Sequence, residues 1–472
     1  MLREPTRKRL RKGPGPRLVV SVALPSGRPL LERAEVGLYD DVRALLQLAR
    51  RTLGRPLSAL VSPRGERLIA GTSLARVGVV DSDVLTVVVA PLMCIYATDS
   101  VFAAVKSDGT VVEWGEQSCG GSDAVHESLN NGGVSQIFST DKAFAALKTN
   151  GSVVTWGSHA RGGDSSAVRD QLAAGVRHVA SSRRGAFAAL KFDGSLVLWG
   201  QHPAPRDRRG FLEKVARGVQ RVYATHEGTF AAIQSDGRAV IDVGSGDDRV
   251  RESLQEQLGK DVRKICCTLG ASAALRIGGG VFTWGDPESG GNSDSVRDEL
   301  VGVQRISASD SAFCALRADG SLVTWGASGR GGDSSAVKLQ QVEYVCATFG
   351  AFAALTKHGS VVTWGCRGQG GDSSDVQEQI SKDVQRLYST RGAFAAVRSD
   401  GSVVTWGSQN WGGDCEAVRD HLSSGVRQIF STDYAFAAVK QDGSVITWGN
   451  EKRGGDSSCV QFQLRTEIHD VS

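Results

Sequence analysis

The chain has 472 residues, of which 40% are hydrophobic and 22% charged, and its formal net charge is +4. It holds no apolar stretch of ~20 residues, so the sequence predicts no transmembrane helix. Its basic start is not followed by the apolar core of a secretory signal peptide. Residues 1–17 carry seven basic residues and one acid, which leaves a net charge of −2 for the rest. A near-neutral body of this kind argues against a large nucleic-acid surface.

Residues 1–16 form a basic arm that we predict to be disordered. A basic cluster runs from Arg7 to Lys12 and precedes a Pro/Gly-rich linker at residues 13–16. Such a run is typical of a nuclear-import signal or of an electrostatic arm, and it is as typical of a solvated tail. We therefore expect nucleic-acid contact, if there is any, only through this arm, and no membrane partner.

Residues 17–91 show the element order of a small α+β domain. Helical spacing is clear over residues 41–51, where Val42, Leu45, Leu46 and Ala49 fall at i, i+3, i+4 and i+7. Predicted strands lie around it at residues 18–24, 28–36, 60–62, 66–69 and 84–89. This order resembles a ubiquitin-like β-grasp domain. Because the segment runs on into the repeats without a free Gly-Gly end, the resemblance implies a docking module or a cap for the repeats.

From residue 92 to residue 472 one unit returns along the chain, well preserved at residues 143–157 as AFAALKTNGSVVTWG. Its Trp-Gly pair recurs at intervals of 39–43 residues, with one interval of 85 that holds a damaged copy at residues 235–244. The sequence therefore predicts nine units of ~42 residues, and a fixed period of this length indicates a propeller, a solenoid or an array. The repeat-position Trp residues, expected to be structural, are Trp114, Trp156, Trp199, Trp284, Trp325, Trp364, Trp406 and Trp448.

Each unit is predicted to contain three strands. In the copy that ends at Trp199, residues 176–180, 186–191 and 195–199 have strand composition. Asp193-Gly194 predicts a tight hairpin turn, because both residues tolerate positive φ. The Ala-rich second strand is expected at an axis where the units converge, and the recurring Phe and Trp are expected in the core. Between units, a Gly-Gly-Asp segment allows a bend, and Asp164 is expected to cap a short helix.

The unit resembles the repeat of the regulator-of-chromosome-condensation family, most clearly at residues 425–429 and 435–449. The resemblance covers residues 92–472 and implies a mainly β propeller, usually of seven blades. This chain has nine copies, whereas propellers usually have four to eight blades. It also has Gly-Gly-Asp-Ser-Ser where the family tends to have Gly-Gln-Leu-Gly. Three arrangements stay open: a closed nine-bladed ring, a smaller ring with extra units, or an open superhelix.

No set of residues in the sequence points to a reaction. Catalysis needs a nucleophile, a base and an orienting partner, and the recurring Ser165-Ser166 pair has no recurring His beside it. The eight His residues fall at inequivalent repeat positions, and the nine Cys residues include no Cys-x-x-Cys. This usage predicts a reducing compartment and no zinc site. One Asp per ~40-residue unit does not gather the oxygens that Ca²⁺ needs, so we expect no catalytic site, metal or other cofactor.

Positions that vary between units are the candidates for partner binding, because repeat proteins bind partners through the variable residues of one face. One row is the loop between the first and second strands. It contains Asp99-Ser100, Asp141-Lys142, Arg183-Arg184, His226-Glu227, Asp310-Ser311, Phe349-Gly350, Arg391-Gly392 and Asp433-Tyr434. A second row follows each Trp-Gly pair. It contains His159, Arg161, residues 202–209, Arg330, Arg367, Asn410, Trp411, Lys452 and Arg453.

The candidate partner-binding residues come from these two rows. Trp411 is included because it is the one Trp outside the repeat position, and Trp and Arg are enriched in binding hot spots. For any single member, an ordinary solvated loop residue is the alternative. The set is Asp141, Lys142, Arg183, Arg184, His226, Glu227, Phe349, Arg391, Trp411, Asp433 and Tyr434.

These features predict a non-enzymatic protein–protein interaction platform in the cytoplasm, the nucleus or both. Two alternatives follow from the family resemblance. One is a guanine-nucleotide exchange factor for a small GTPase, although no loop matches a working loop of such factors residue by residue. The other is a substrate-recruiting component of a ubiquitin ligase, because ligases with such repeats carry a further catalytic domain and this chain stops at Ser472.

Overall fold

A computed structural model describes sixteen segments of the chain. They are residues 17–23, 29–53, 57–63, 67–68, 72–89, 93–106, 110–116, 125–130, 133–201, 211–215, 218–224, 230–241, 256, 258, 261–337 and 339–464. The chain divides into two compact units, residues 1–94 with 106–108, and residues 95–105 with 109–472. None of the described helices is long and apolar enough to cross a membrane. The basic cluster from Arg7 to Lys12 lies outside the described residues.

The first unit is a five-stranded sheet with one helix, and the strand order across the sheet is β2-β1-β5-β3-β4. The strands are β1 Arg17–Ala23, β2 Pro29–Gly37, β3 Leu57–Val61, β4 Arg67–Leu68 and β5 Val84–Val89. Strand β1 pairs with β2 antiparallel and with β5 parallel. Helix α1, Val42–Leu53, buries Val42, Leu45, Leu46 and Ala49, the four positions of the predicted helical face.

The second unit contains nine three-stranded sheets among the described residues, which we number repeat 1 to repeat 9. Their first strands are β6 Met93–Ala97, β9 Val134–Ser139, β12 Val176–Ser181, β15 Val219–Ala224, β18 Val262–Cys267, β21 Val303–Ala308, β24 Val342–Ala347, β27 Val384–Ser389 and β30 Val426–Ser431. Their middle strands are β7 Val101–Lys106, β10 Ala143–Lys148, β13 Ala186–Lys191, β16 Phe230–Gln234, β19 Ala271–Arg276, β22 Ala312–Arg317, β25 Ala351–Thr356, β28 Ala393–Arg398 and β31 Ala435–Lys440. Their last strands are β8 Val111–Gly115, β11 Val153–Gly157, β14 Leu196–Gly200, β17 Ala239–Ile241, β20 Val281–Gly285, β23 Leu322–Gly326, β26 Val361–Gly365, β29 Val403–Gly407 and β32 Val445–Gly449.

The turn between the middle and last strands is a tight hairpin, and in repeats 3, 4, 6, 8 and 9 it contains the predicted Asp-Gly pair. In repeat 3, Ser195 donates its backbone N–H to Asp193 Oδ1 at 2.9 Å, and Gly194 has φ 82°. The turn sets the register in which Leu190 lies opposite Leu196. In repeat 4 the same hairpin joins β16 to β17, and residues 242–244 of that damaged copy lie outside the described residues.

Neighbouring sheets pack face to face through the two sides of the middle strand. Between repeats 2 and 3, Ala143 and Ala145 of β10 leave the space into which Phe187 and Trp199 fit. The two rings stack with centroids 5.1 Å apart, and Trp199 Nε1 donates to the Gly162 carbonyl of the preceding repeat at 3.1 Å. No repeat can bury this surface alone, so each depends on its neighbour.

The predicted position of the Ala-rich strand is wrong. It is the middle strand of each sheet. The first strands lie at the axis instead, where the last residues of eight of them line a cavity. The alanines serve a different purpose, because both faces of the middle strand are buried between sheets. Ala145 and Ala146, for example, face opposite neighbours and are both fully buried.

The last repeat contacts the first, so the sheets form a ring. Trp114 Nε1 of repeat 1 donates to the Gly454 carbonyl of repeat 9 at 3.2 Å. On the same interface the Asp433 N–H donates to the Asp99 carbonyl at 3.0 Å. These contacts repeat the ones that join neighbouring repeats elsewhere in the ring. The arrangement is that of a propeller and excludes an open superhelix.

Where the structure describes them, the connections between repeats contain short helical turns. The α-helical turns among the described residues include α2 His126–Asn130, α3 Arg169–Leu172, α4 Gln377–Ile380 and α5 Gln461–Leu464. Asp164 does not cap a helix directly, contrary to the prediction. Its Oδ1 accepts from the Ser166 N–H at 2.9 Å, and the capping position belongs to Ser165. The carboxylate thus closes a local side-chain turn two residues on, and this bond lowers the Asp164 pKa.

Candidate interaction face

The loop between the first and middle strands, which we call the axial loop, begins with a buried Thr or Ser in every described repeat. In repeat 2, Thr140 Oγ1 accepts from the Ala143 N–H at 3.1 Å and donates to the Arg161 carbonyl at 3.0 Å. Thr390 and Thr432 make the matching bonds to Trp411 and Arg453. The hydroxyl therefore ties the axial loop to the segment after the Trp-Gly pair, and the two variable rows lie side by side.

Backbone hydrogen bonds join successive axial loops around the axis. The Asp99 N–H donates to Asp141 O, Asp310 to Phe349 O, and Arg391 to Asp433 O, each at 3.0 Å. Further bonds of this series start at the N–H groups of Asp141, Leu269, Phe349 and Asp433. The axial loop of repeat 4, which holds His226 and Glu227, lies outside the described residues. The described loops thus present their variable side chains from one continuous backbone rim.

The axial loops and the ends of the first strands enclose a cavity of ≈ 460 Å³ on the axis. Its lining includes the hydroxyls of the Thr/Ser series and the side chains of Asp99, Arg183, Phe349, Arg391 and Asp433. The lining is polar and charged, unlike the mostly apolar wall of a typical small-molecule site.

One arginine crosses the mouth of this cavity. Arg183 of repeat 3 donates to both carboxylate oxygens of Asp433 in repeat 9, and its Nη2 lies 3.9 Å from Asp99 Oδ1 in repeat 1. Arg391 approaches the same Asp433 at 3.7 Å. The sequence separation of 250 residues between Arg183 and Asp433 makes this a contact that only ring closure creates.

Burial and crowding of like charge shift the titration of these groups. Burial, with the neighbouring Asp433 carboxylate, raises the pKa of Asp99 to about 7, against the opposing effect of Arg183. Burial lowers the pKa of the Arg183 guanidinium, but Asp433 and Asp99 outweigh it, and the net shift is upward. The network therefore holds a carboxyl that exchanges its proton near neutral pH.

Two further acids sit at the rim beside arginines of the second row. Arg161 lies 3.3 Å from Asp141, and Arg330 lies 4.0 Å from Asp310. The two carboxyls are almost buried, with side-chain exposures of 13% and 7%, so burial raises both pKa values despite the arginines. On this face the arginines are thus held by carboxylates.

Arginine and aromatic side chains alternate along the rest of the rim. The Arg391 guanidinium lies 4.2 Å and that of Arg330 5.3 Å from the centre of the Phe349 ring. In the next repeats, Trp411 packs over Gly392 and meets Tyr434 edge-on at 5.8 Å. Such cation–π and edge-to-face contacts fix long side chains at a surface.

Arg453 continues this row across the ring closure. Its guanidinium lies 4.2 Å from the Tyr434 ring, and its Nη1 lies 3.5 Å from Ser100 Oγ of repeat 1. The structure therefore brings together Phe349, Arg391, Trp411, Asp433 and Tyr434 of the predicted set.

The other predicted residues take less central places. Lys142 and Arg184 are exposed next to the rim, and Arg161 Nη1 donates to the Arg184 carbonyl at 3.1 Å. Leu269-Gly270, the axial loop of repeat 5, was absent from the predicted row. Its signal is present in the sequence, because Thr268 stands three residues before the middle strand, as Thr140 does in repeat 2.

The repeat-position Trp residues lie away from this face, between the sheets. Seven of the eight are buried, and Trp284 is half-buried. Ser272 stands opposite Trp284 where other repeats have Phe, and Trp284 stacks instead on Phe282 at 5.9 Å.

Among the described residues no group of three or more His, Cys, Asp or Glu is placed to hold a metal ion. Cys314 and Cys346 are buried, whereas Cys94 and Cys266 are half-buried. Burial raises the pKa of all four thiols. Raised thiol pKa values keep these side chains protonated and unreactive.

No family model and no curated protein matches the chain. Solved structures give weak likenesses. Prp20p from Saccharomyces cerevisiae is 16% identical, covering 60% of this chain and 73% of its own, with a TM-score of 0.33. The ectodomain of the Physcomitrella patens receptor kinase CR4 is 15% identical, and the match covers 58% of this chain and 73% of the ectodomain with a TM-score of 0.34. The computationally designed Ika8 protein is 13% identical, and the match covers 76% of this chain and 97% of Ika8 with a TM-score of 0.34. Likeness at this level assigns no function, and the ring of sheets itself defines a mainly β protein with a repeat β-propeller.

Proposed function

We propose that this chain is a non-enzymatic protein-interaction platform whose partner binds the face formed by the axial loops and the segments after each Trp-Gly pair. The observation that carries the proposal is the meeting of the two variable rows on one rim. There Arg391, Trp411, Tyr434 and Arg453 form a continuous arginine–aromatic surface.

The composition of this surface suits recognition. Trp, Tyr and Arg dominate binding hot spots, and Trp411, Tyr434 and Arg391 are each half-exposed. Their backbone is fixed by the hydroxyl and rim hydrogen bonds described above. A surface that is ordered before binding loses little conformational entropy when the partner arrives.

The test is a pull-down or proximity-labelling comparison of full-length chains. The rim variant combines Arg391→Ala, Trp411→Ala and Tyr434→Ala. The matched control removes one Arg and two aromatic residues from exposed positions away from the rim: Arg419→Ala, Phe192→Ala and Phe462→Ala. Thermal denaturation of each variant checks that the ring is folded.

We expect the rim variant to lose a partner that the wild-type and control chains retain. If both variants keep the same partners, the rim is not the binding surface. If a purified chain turns over a substrate and the rim variant does not, the non-enzymatic assignment is wrong.

The proposal includes a ubiquitin-like β-grasp fold for residues 17–91 and nine blades for residues 92–472. The order β2-β1-β5-β3-β4 with one helix supports the first, and the nine three-stranded sheets support the second. A chain of residues 92–472 in the same pull-down separates the units. Partners that follow residues 1–91 instead would assign recognition to the first unit or to the basic arm.

Two partner classes deserve direct assays because the repeat resembles the regulator-of-chromosome-condensation family. Prp20p, a weak structural likeness, is described with binding properties to Gsp1p and histones. A nucleotide-release assay over a panel of small GTPases tests exchange activity, and co-purification with a ubiquitin ligase tests recruitment. We propose a cytoplasmic or nuclear location, which imaging of a tagged chain with and without residues 1–16 tests.

A further inference from the structure

The first strands carry a second charged zone at the end remote from the axial loops. Each begins with a buried apolar residue, and in repeats 2 to 9 the next two positions are mostly exposed. These positions lie three or four residues from the cavity, or ~10–13 Å along the strand. They hold seven cations: Arg177, Arg221, Arg263, Lys264, Arg305, Arg386 and Arg427. We call this set the basic ring; Glu343 is the one acid at the same positions.

Two arginines of the basic ring reach across to the first strand of the next repeat. Arg177 of repeat 3 donates to the Val219 and Gln220 carbonyls of repeat 4, both at 3.0 Å. Arg386 of repeat 8 donates to the Arg427 carbonyl of repeat 9 at 3.3 Å. These two guanidinium groups thus contact the first strand of the next repeat, which brings positive charges of different repeats close to one another.

No member of the basic ring forms an ion pair within the described segments of the chain. Two acids stand just before first strands, Asp261 and Asp383, and Asp383 pairs instead with Arg398 at 3.9 Å. The rim at the other end is the opposite case, because its arginines are held by Asp99, Asp141, Asp310 and Asp433. The hairpin turns at the same end as the basic ring carry Asp193, Asp236, Asp319, Asp400 and Asp442, but none of these carboxylates forms an ion pair with a described cation of the basic ring. The basic ring is therefore not neutralised by direct ion pairs, unlike the arginines of the rim.

We propose that the basic ring binds a compact anion with several phosphate groups. Six of its seven cations are Arg, whose planar fork pairs with phosphate through two hydrogen bonds. The first strands lie around one axis, and Arg177 and Arg386 each reach the first strand of the next repeat. A compact polyanion on the axis can therefore contact several repeats at once, whereas an extended chain that crosses the mouth contacts few.

The test is isothermal titration calorimetry of the full-length chain with inositol hexakisphosphate at low ionic strength. The ring variant combines Arg263→Ala, Lys264→Ala and Arg305→Ala, all exposed in the free chain. The control removes three exposed cations from the connections between repeats: Arg169→Ala, Arg297→Ala and Arg419→Ala. A second arm uses vesicles with and without a phosphorylated inositol lipid, which separates a soluble ligand from a lipid headgroup.

We expect wild-type and control chains to bind and the ring variant to bind roughly tenfold more weakly or worse, with unchanged melting temperatures. Binding to either probe supports the site, and the probe that binds shows whether the ligand is a soluble phosphate compound or a lipid headgroup. If the control variant loses as much affinity as the ring variant, net charge alone explains the effect and the site is overturned. Absence of binding to both probes would overturn it as well. A poly-glutamate peptide that binds as tightly as the hexakisphosphate would overturn the phosphate assignment. The rim variant should bind normally, so failure here is distinct from failure of the proposed partner face.

Discussion

Replacement of Asp99 by Asn is expected to stabilise the propeller at pH 8 and to leave it unchanged at pH 4. Asp99 lies against Asp433 at the cavity mouth, and its pKa of about 7 lies well above the usual 3.8. A carboxyl whose pKa is raised by folding makes the folded state bind more protons than the unfolded state. The contribution of Asp99 to stability should therefore fall as pH rises from about 4 to about 7 and stay low above that.

The magnitude follows from the shift. Three pKa units at 1.36 kcal/mol each give roughly 4 kcal/mol as the cost of an ionised Asp99. Two effects reduce it: the side chain is 28% exposed, so solvent screens part of the charge, and Arg183 loses one of its two carboxylate partners in the variant. We therefore expect a gain of about 2 kcal/mol in unfolding free energy at pH 8.

The assay is urea denaturation followed by Trp fluorescence at pH 4, 5, 6, 7 and 8. All nine Trp residues lie in the second unit, so the signal reports the propeller alone. Asp400→Asn is the control, because bonds from Ser402 lower the pKa of that exposed turn carboxyl, and its loss should bring no gain at pH 8. A gain for Asp99→Asn that is equal at pH 5 and pH 8, or no gain at all, would refute the electrostatic reasoning.

Three further substitutions test the packing and the rim by the same urea midpoint. Gly412→Ala should lower the free energy of unfolding by about 3 kcal/mol, because φ is 92° and the new Cβ would lie 2.7 Å from Phe436 Cδ2. Its control is Gly368→Ala, where the new Cβ meets no atom within 4 Å, and the free energy of unfolding should change by no more than about 0.5 kcal/mol. Trp448→Phe should cost about 1–3 kcal/mol, because the buried Gly412 carbonyl loses its donor at 3.1 Å. Arg183→Met should cost about 1–2 kcal/mol at pH 8 and less at pH 5, where one of its two carboxylate partners takes up a proton; an effect independent of pH would contradict the proposed network.

The strands of each unit could be predicted because local chemistry determines them. Asp-Gly turns and alternating apolar residues fix the hairpin that pairs Leu190 with Leu196. The place of the Ala-rich strand could not be predicted, because a strand at a crowded axis and a strand buried on both faces demand the same small residues. Ring closure was also beyond the sequence, since it depends on the angle between neighbouring sheets, which no single unit encodes.

The candidate face was predictable as two rows of variable loops, but its contacts were not. Nothing in the local sequence relates Arg183 to Asp433, because their contact needs the whole ring to close. The pairing of Trp411 with Tyr434 likewise joins two repeats. The missed loop at Leu269 shows the better signal, which is the Thr or Ser three or four residues before the middle strand.

That Thr or Ser also explains why the axial positions can vary at all. The hydroxyl of Thr140 binds two backbone groups, and the rim hydrogen bonds join backbone to backbone, so neither depends on the residue that follows. Four different residue types accordingly occupy equivalent positions with the same backbone hydrogen bond: Asp99, Arg391, Leu269 and Phe349. The backbone path of the rim does not require particular side chains at these positions, so the side chains can vary to suit a partner, and this is the physical basis for assigning the partner face to the axial loops.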